Sequence, residues 1–297
     1  MSKLMIENER LQVQILTKGA ELSNIQSKID TTEFLWQADP KYWSRHAPIL
    51  FPIVGKLKND QYQYQGKTYE MSQHGFARDM EFSVVLQEPD KVRLALQYTK
   101  ETLAKYPFKF LLEVEYCLQE DCLVTRYFVT NLSETVEMWF SVGAHPGFNV
   151  PIDRNAAFED YTLELSPATQ RTFIPVTQEV LLQTDQATQT EKSSFSLSRD
   201  LFKKGVLIFE TPEKTQITLK SARSQKQIIM EYQTLPHLGI WSTYPAEAPF
   251  VCIEPWNGLA DSFDASGLLE EKKGINRLEP QELFTTEYCT TFLTGGK

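Results

Sequence analysis

Cysteine is scarce in this chain. Four occur in 297 residues, at Cys117, Cys122, Cys252 and Cys289. They are too scattered for a disulfide framework, and none is spaced like a zinc knuckle. Cys117 and Cys122 flank a predicted hairpin turn and read as small packing side chains. Long apolar runs are missing as well. No stretch reaches the roughly 18 residues that a membrane helix needs, so no membrane partner is expected. The N-terminal string Met1 to Arg10 lacks the apolar centre of a signal peptide, and a cytoplasmic location is the expectation. Positive charge is in deficit: 30 Lys and Arg against 39 Asp and Glu give a net charge of −9. That balance argues against nucleic acid or an anionic membrane as the main partner, without excluding a local basic pocket. There is no glycine-rich phosphate loop and no Ser or Cys in a nucleophile-elbow string. No Pro/Gly/Ser-rich linker and no fixed-period repeat divides the chain, so residues 1–297 are read as one domain.

What remains is dominated by a period of two. Leu11, Val13 and Ile15 alternate with polar residues. So do Val92, Leu94, Leu96 and Tyr98, then Leu112, Val114, Tyr116 and Leu118. Tyr62 and Tyr64 lead through Gly66-Lys67 into a return strand, and Gln119-Glu120-Asp121 turns into Val124 to Thr130. Further strand-forming runs cover 161–165, 206–209, 216–219, 228–232, 250–253 and 283–292. Helical signals are confined to 99–105 before Pro107 and to 199–204 before Gly205. The polar, Thr/Gln-rich segment 178–194 reads as a long surface loop. Many short strands without strand–helix alternation predict an all-β protein, a large twisted antiparallel β-sandwich.

Three ionisable residues stand in short turn-like strings beside predicted strands. His74 lies in Ser72-Gln73-His74-Gly75-Phe76-Ala77-Arg78-Asp79 and His145 in Gly143-Ala144-His145-Pro146-Gly147-Phe148-Asn149. Glu254 directly follows the apolar run Phe250-Val251-Cys252-Ile253. A lone histidine at a strand end is more often structural than functional. A carboxylate at the mouth of a buried strand is costly unless it is paired or used. Two imidazoles and a carboxylate that converge would suit general acid–base chemistry near neutral pH. Their spacing is not that of a metal site, and neither metal nor cofactor is expected. His46 and His237 lie outside such strings and are given no role. Phe76, Phe148, Trp241 and Trp256 are core residues or a flat platform for the C–H face of a sugar. Arg45, Lys56, Lys58 and Arg78 are solvated charges or a cluster for hydroxyls or an anion.

These strings, in this order, resemble the aldose 1-epimerases (galactose mutarotases), most closely the LacX-like proteins of that superfamily. The likeness extends over nearly the whole chain and includes Thr17-Lys18-Gly19-Ala20-Glu21-Leu22 and Ala47-Pro48-Ile49-Leu50-Phe51-Pro52-Ile53-Val54-Gly55. The resemblance implies a galactose mutarotase-like supersandwich with an open cleft. It also implies cofactor-free exchange of α and β anomers of a hexose or hexose phosphate, by a monomer or homodimer. Glu254 would be the general base and His145 the general acid, with His74 stabilising the ring oxygen. Lys56, Arg78 and Trp241 would contact the substrate. Lys56 stands where other mutarotases carry an arginine, and no counterpart of their sugar-binding aspartate is evident, the neighbourhood of Trp241 being the nearest region. The His-Gly-Phe-Ala-Arg string with Arg78 is shared with members similar to hexose-6-phosphate epimerases. A different expectation is a sugar-binding protein that has lost turnover. A third is a glycoside hydrolase, which needs two carboxylates about 5–10 Å apart where only Glu254 stands out.

Overall fold

Side chains of a strand point alternately to its two faces, so each period-two run commits one face to a core and the other to something else. The computed structural model describes residues 2–295, and its strands follow those runs closely. Among the described residues, two large antiparallel sheets dominate. One has nine strands, ordered Ser194–Ser196, Tyr161–Ser166, Thr215–Ser221, Ser224–Tyr232, Leu283–Leu293, Cys122–Asn131, Phe110–Gln119, Lys91–Gln97 and Ser83–Gln87. The other has eight. Thr188–Thr190, Arg171–Ile174, Leu207–Glu210, His237–Trp241, Phe250–Asn257, Val142–Ala144 and Ile49–Leu50 follow in order, and Gly147–Asn149 also pairs with Phe250–Asn257. A three-stranded sheet, Lys3–Glu7, Leu11–Leu16 and Leu22–Ser27, adds to the same body.

One apolar core joins all three sheets. It takes Leu94, Leu112, Val129, Ile217 and Phe292 from the nine-stranded sheet, Phe209, Leu238, Ile240, Val251 and Ile253 from the eight-stranded one, and Val13 and Ile15 from the small one. The eight-stranded sheet is covered on its second face as well. There, Ile208, Leu50 and Trp256 pack with Leu182 and Leu259, while Phe250 and Cys252 pack with Trp36. A strand buried on both faces reads as a continuous apolar run, which is why 250–253 shows no alternation.

Three expectations change on contact with the structure. The segment 178–194 is not simply a surface loop: Leu181 and Leu182 are buried, and Thr188–Thr190 forms the edge of the eight-stranded sheet. Its polar composition hid these anchors, because two apolar side chains suffice to fasten a loop. The candidate helix at 199–204 is a single 3-10 turn, Arg199–Phe202. The one at 99–105 is an α-helix, Lys100–Lys105, capped by Thr99, whose Oγ1 accepts from the Thr102 N–H at 3.2 Å. Two of the scattered cysteines do pair: Cys122 and Cys289 form a disulfide across 167 residues of sequence. Only the adjacency of their strands brings them together. No helix among the described residues is long and apolar enough to cross a membrane.

Gly239 shows how closely the sheet is filled on its second face. A Cβ there would stand 2.4 Å from the Trp256 indole, which lies across the glycine. Gly239→Ala is expected to lower stability by about 1–3 kcal/mol through overpacking, read as a lower thermal midpoint. An unchanged midpoint would mean that the indole swings aside freely.

Candidate active site

The strand Phe250–Asn257 sorts its side chains by parity. Val251 and Ile253 enter the core between the sheets, while Cys252, Glu254 and Trp256 face the other way. Glu254 is flanked on one side by Gly239, whose missing side chain leaves room for the Trp256 indole. On the other side, Gly143 pairs with Trp256 and Gly147 pairs with Cys252. The register is the same before and after the interruption at 144–146, and His145 therefore sits across from Glu254. Its Nε2 is 3.1 Å from Glu254 Oε2. The rest of the His145 string is structural. Phe148 is fully buried, and Asn149 Nδ2 donates to the carbonyls of Glu33 and Leu35.

His74 arrives from a separate loop and is held by a two-way clasp. Its backbone N–H donates to the Gly55 carbonyl at 2.8 Å, and the Gly55 N–H donates to its Nδ1 at 3.1 Å. The clasp requires φ of +67° at His74 and +71° at Gly75, the left-handed region. Gly75 is also needed for close approach, since a Cβ there would lie 2.3 Å from the Phe51 carbonyl oxygen. Because Nδ1 accepts a hydrogen bond, the ring is neutral and carries its proton on Nε2. The His74 and His145 rings meet edge to face, 5.5 Å between centroids.

All three groups line one cavity of about 320 Å³. Trp43, Trp241 and Trp256 form apolar wall, and Gln73 and Arg78 contribute polar groups. Trp43 lies over His145, 5.0 Å between ring centroids, and meets Trp241 edge-on at 5.6 Å. Arg78 donates from Nη2 to the Gln73 carbonyl at 2.6 Å, while its buried Nε has no hydrogen-bond partner. Both arginines share Asp79, which lies 2.9 Å from Arg45 Nη2 and 3.9 Å from Arg78 Nε. Lys56 is half-buried and is not among the residues that line the cavity. No aspartate lines it among the described residues either; the Trp241 neighbourhood supplies the indole alone. Phe76 belongs to the core.

Reading the sequence did not single out Trp43, Gln73 or Val180 as site residues. Gln73 could have been found as the neighbour of His74. Trp43 sits in an aperiodic segment and Val180 in a polar one, so neither carries a periodic signal. Behind the wall, Asp261 braces the loops: it accepts from Lys272 Nζ and from the Lys58 N–H, each at 2.9 Å, and its own N–H donates to the Lys56 carbonyl.

Burial sets the protonation of the pair. Glu254 is 1% exposed, and neither of its oxygens receives a hydrogen bond. The 3.1 Å approach of His145 lacks the angle of a hydrogen bond, and His145 Nδ1 is likewise unpartnered. Desolvation pushes the Glu254 carboxyl well above its ordinary range and pulls His145 down to about 3. It also holds His74 far below its usual value, helped by His145, Arg78 and Arg45. Burial of both groups therefore favours Glu254–COOH beside neutral imidazole. This state holds one proton, as the ion pair would, but without two buried charges.

A broad antiparallel sandwich of this kind is the galactose mutarotase-like fold, and solved structures share it. A galactose mutarotase related enzyme from Lactobacillus acidophilus superposes with a TM-score of 0.95 at 39% identity, covering 98% of this chain and 97% of that one. A galactose mutarotase-like protein from Lactobacillus casei gives 0.91 at 32%, over 98% and 100%. The LacX proteins of Lactococcus lactis, plasmid and chromosomal, are 34% identical over 97% of this chain and 98% of their own. The sequence model of the aldose 1-epimerase family matches residues 2–270, and the chain belongs to that family.

The protonation of the pair is testable through stability. Glu254, raised on folding, stabilises most below pH 4.5, and that contribution declines as pH rises towards its folded value. His145, lowered on folding, stabilises above pH 6.5 and loses that contribution as pH falls. The two slopes cancel between these values, leaving only the Glu254 decline above pH 6.5. Glu254→Gln is expected to remove an alkaline loss of up to about 1.4 kcal/mol per pH unit, measured by denaturant unfolding from pH 6.5 to 8.5. Parallel curves for variant and wild type would mean that the folded pair binds no proton above pH 6.5.

Proposed function

We propose that this protein is a mutarotase: it interconverts the α and β anomers of a hexose by opening and reclosing the ring at C1. The observation that carries the reading is the meeting of His145 and Glu254, 3.1 Å apart, buried and otherwise unpartnered at the floor of a sugar-sized cavity. Indole faces suit the C–H face of a pyranose, and a sugar's hydroxyls would supply the hydrogen bonds that the pair lacks.

The cycle conserves protons. With sugar bound, ionised Glu254 takes the proton of the C1 hydroxyl while protonated His145 gives one to the ring oxygen. The C1–O5 bond breaks and a free aldehyde forms. The products are Glu254–COOH and neutral His145, the state that burial favours in the sugar-free site. Rotation about C1–C2 and return of both protons close the ring on the opposite face. His74, donating from Nε2, steadies charge on the ring oxygen without titrating. Each acid–base group supplies about 10²–10⁴-fold.

The test is saturation-transfer NMR of anomer exchange on glucose, galactose and related hexoses. Glu254→Gln is expected to cut exchange by about 10²–10⁴-fold while retaining sugar binding. Wild-type exchange no faster than buffer, with binding intact, would replace this reading by that of a sugar-binding protein.

The position of Arg78 on the cavity wall, with a buried Nε that makes no hydrogen bond and has the Asp79 carboxylate 3.9 Å away, supports a phosphorylated substrate. Among the described lining residues Arg78 is the one Lys or Arg side chain. A charge-assisted bond to phosphate would raise kcat/KM for a hexose 6-phosphate about 10–100-fold over the free sugar, and Arg78→Gln would erase the difference. Equal values for the two substrates in the wild type would rule out the phosphate and leave the anomer exchange standing.

A further inference from the structure

Cys252 is a buried free thiol that the proposed reaction does not use. It lies two residues before Glu254 on the same face of the same strand, which brings its sulfur towards the acid–base pair. One ligand atom from each of His145, Cys252 and Glu254 can be chosen so that all three lie within 4.8 Å of one another. All three residues are buried, and both oxygens of Glu254 and the Nδ1 of His145 have no hydrogen-bond partner. Glu254 and His145 also border the cavity, which leaves an open side where a water or a sugar hydroxyl would complete a fourth position.

We propose that His145, Cys252 and Glu254 form an inhibitory binding site for a borderline-soft divalent cation of the zinc class. This goes beyond the mutarotase reading, and the cation is no cofactor of it. A thiolate, an imidazole and a carboxylate are the mixed donor set that zinc takes in three-ligand sites with one position open. Magnesium and calcium, which require oxygen donors, are excluded by the sulfur. Tetrahedral zinc places neighbouring donor atoms about 3.3–3.6 Å apart, so the trio contracts by up to about 1.5 Å. The charge balance is favourable. One zinc enters and two protons leave, one from the thiol and one from the carboxyl, so the buried site stays neutral overall. With zinc bound, Glu254 cannot accept the C1 proton and the imidazole is held by the metal, so the site is shut.

The first measurement is a titration of the metal-free, full-length protein with Co²⁺ and no sugar. One cobalt ion is expected, with a thiolate-to-cobalt charge-transfer band in the near ultraviolet that stoichiometric Zn²⁺ abolishes. The band should persist in Cys117→Ser, which removes the other free thiol, and vanish in Cys252→Ser. In wild type Zn²⁺ should suppress anomer exchange reversibly on chelation. The half-inhibiting concentration should rise at least tenfold in Cys252→Ser, each protein being compared with its own zinc-free rate. Cobalt binding without a charge-transfer band in wild type overturns the site, as does the absence of cobalt binding or a band that survives in Cys252→Ser. The titration needs no turnover, so a failure of this site and a failure of the mutarotase reading are separately visible.

Discussion

Desolvation of Glu254 is the constraint around which the rest of the site is arranged. A carboxyl group at 1% exposure with no hydrogen bond to either oxygen is among the more expensive groups a protein can carry. Removing the charge is the inexpensive solution, and the imidazole 3.1 Å away makes the removal reversible. One proton shared by two buried groups can sit on either, and the choice turns on what fills the cavity. With the cavity free of sugar the neutral pair wins. In the proposed reaction, hydroxyl groups that satisfy the carboxylate would shift the balance towards the ion pair from which ring opening starts.

The sandwich supplies what this pair needs. The eight-stranded sheet is buried on both faces, so the strand carrying Glu254 is fixed by packing from Val251 and Ile253 below and from Phe250, Cys252 and Trp256 above. His145 is held in the same register as its paired neighbours on either side, which makes its distance to Glu254 a property of the sheet rather than of a loop. His74 has no such sheet beneath it. The clasp with Gly55 takes that part, fixing the backbone and the tautomer with two hydrogen bonds. The Asp261–Lys272 pair holds the adjoining segment from behind, through the backbone of Lys56 and Lys58. His74 is thus placed by backbone geometry, and the His145–Glu254 pair is placed by strand register.

The strand plan was largely legible in the sequence, because burial of one face imposes a period of two whatever the partner strand. Leu11–Leu16, Lys91–Gln97 and Phe110–Gln119 were all readable on that ground. The three acid–base residues were legible for another reason: a charged or titratable residue beside an apolar run or a forced turn breaks a pattern. Trp43 breaks none, since its segment has no period, and only packing against His145 and Trp241 makes it part of the wall. Lys56 shows the reverse case. It follows Gly55, which lines the cavity, but its own side chain does not.

By itself the sequence determined which faces of which strands are apolar, where the chain must turn, and that His74 and His145 sit beside such turns; Glu254, read at the end of a strand, lies within the strand Phe250–Asn257. These faces and turns follow from local side-chain chemistry and from steric limits on the backbone. Only the tertiary structure decided that Gly147 pairs with Cys252 and Gly143 with Trp256, that Cys122 bonds Cys289, and that Val180 of the 178–194 segment lines the cavity. Such pairings depend on which strands become neighbours. Neighbour choice is settled by the packing of the whole core, over separations where no sequence period survives.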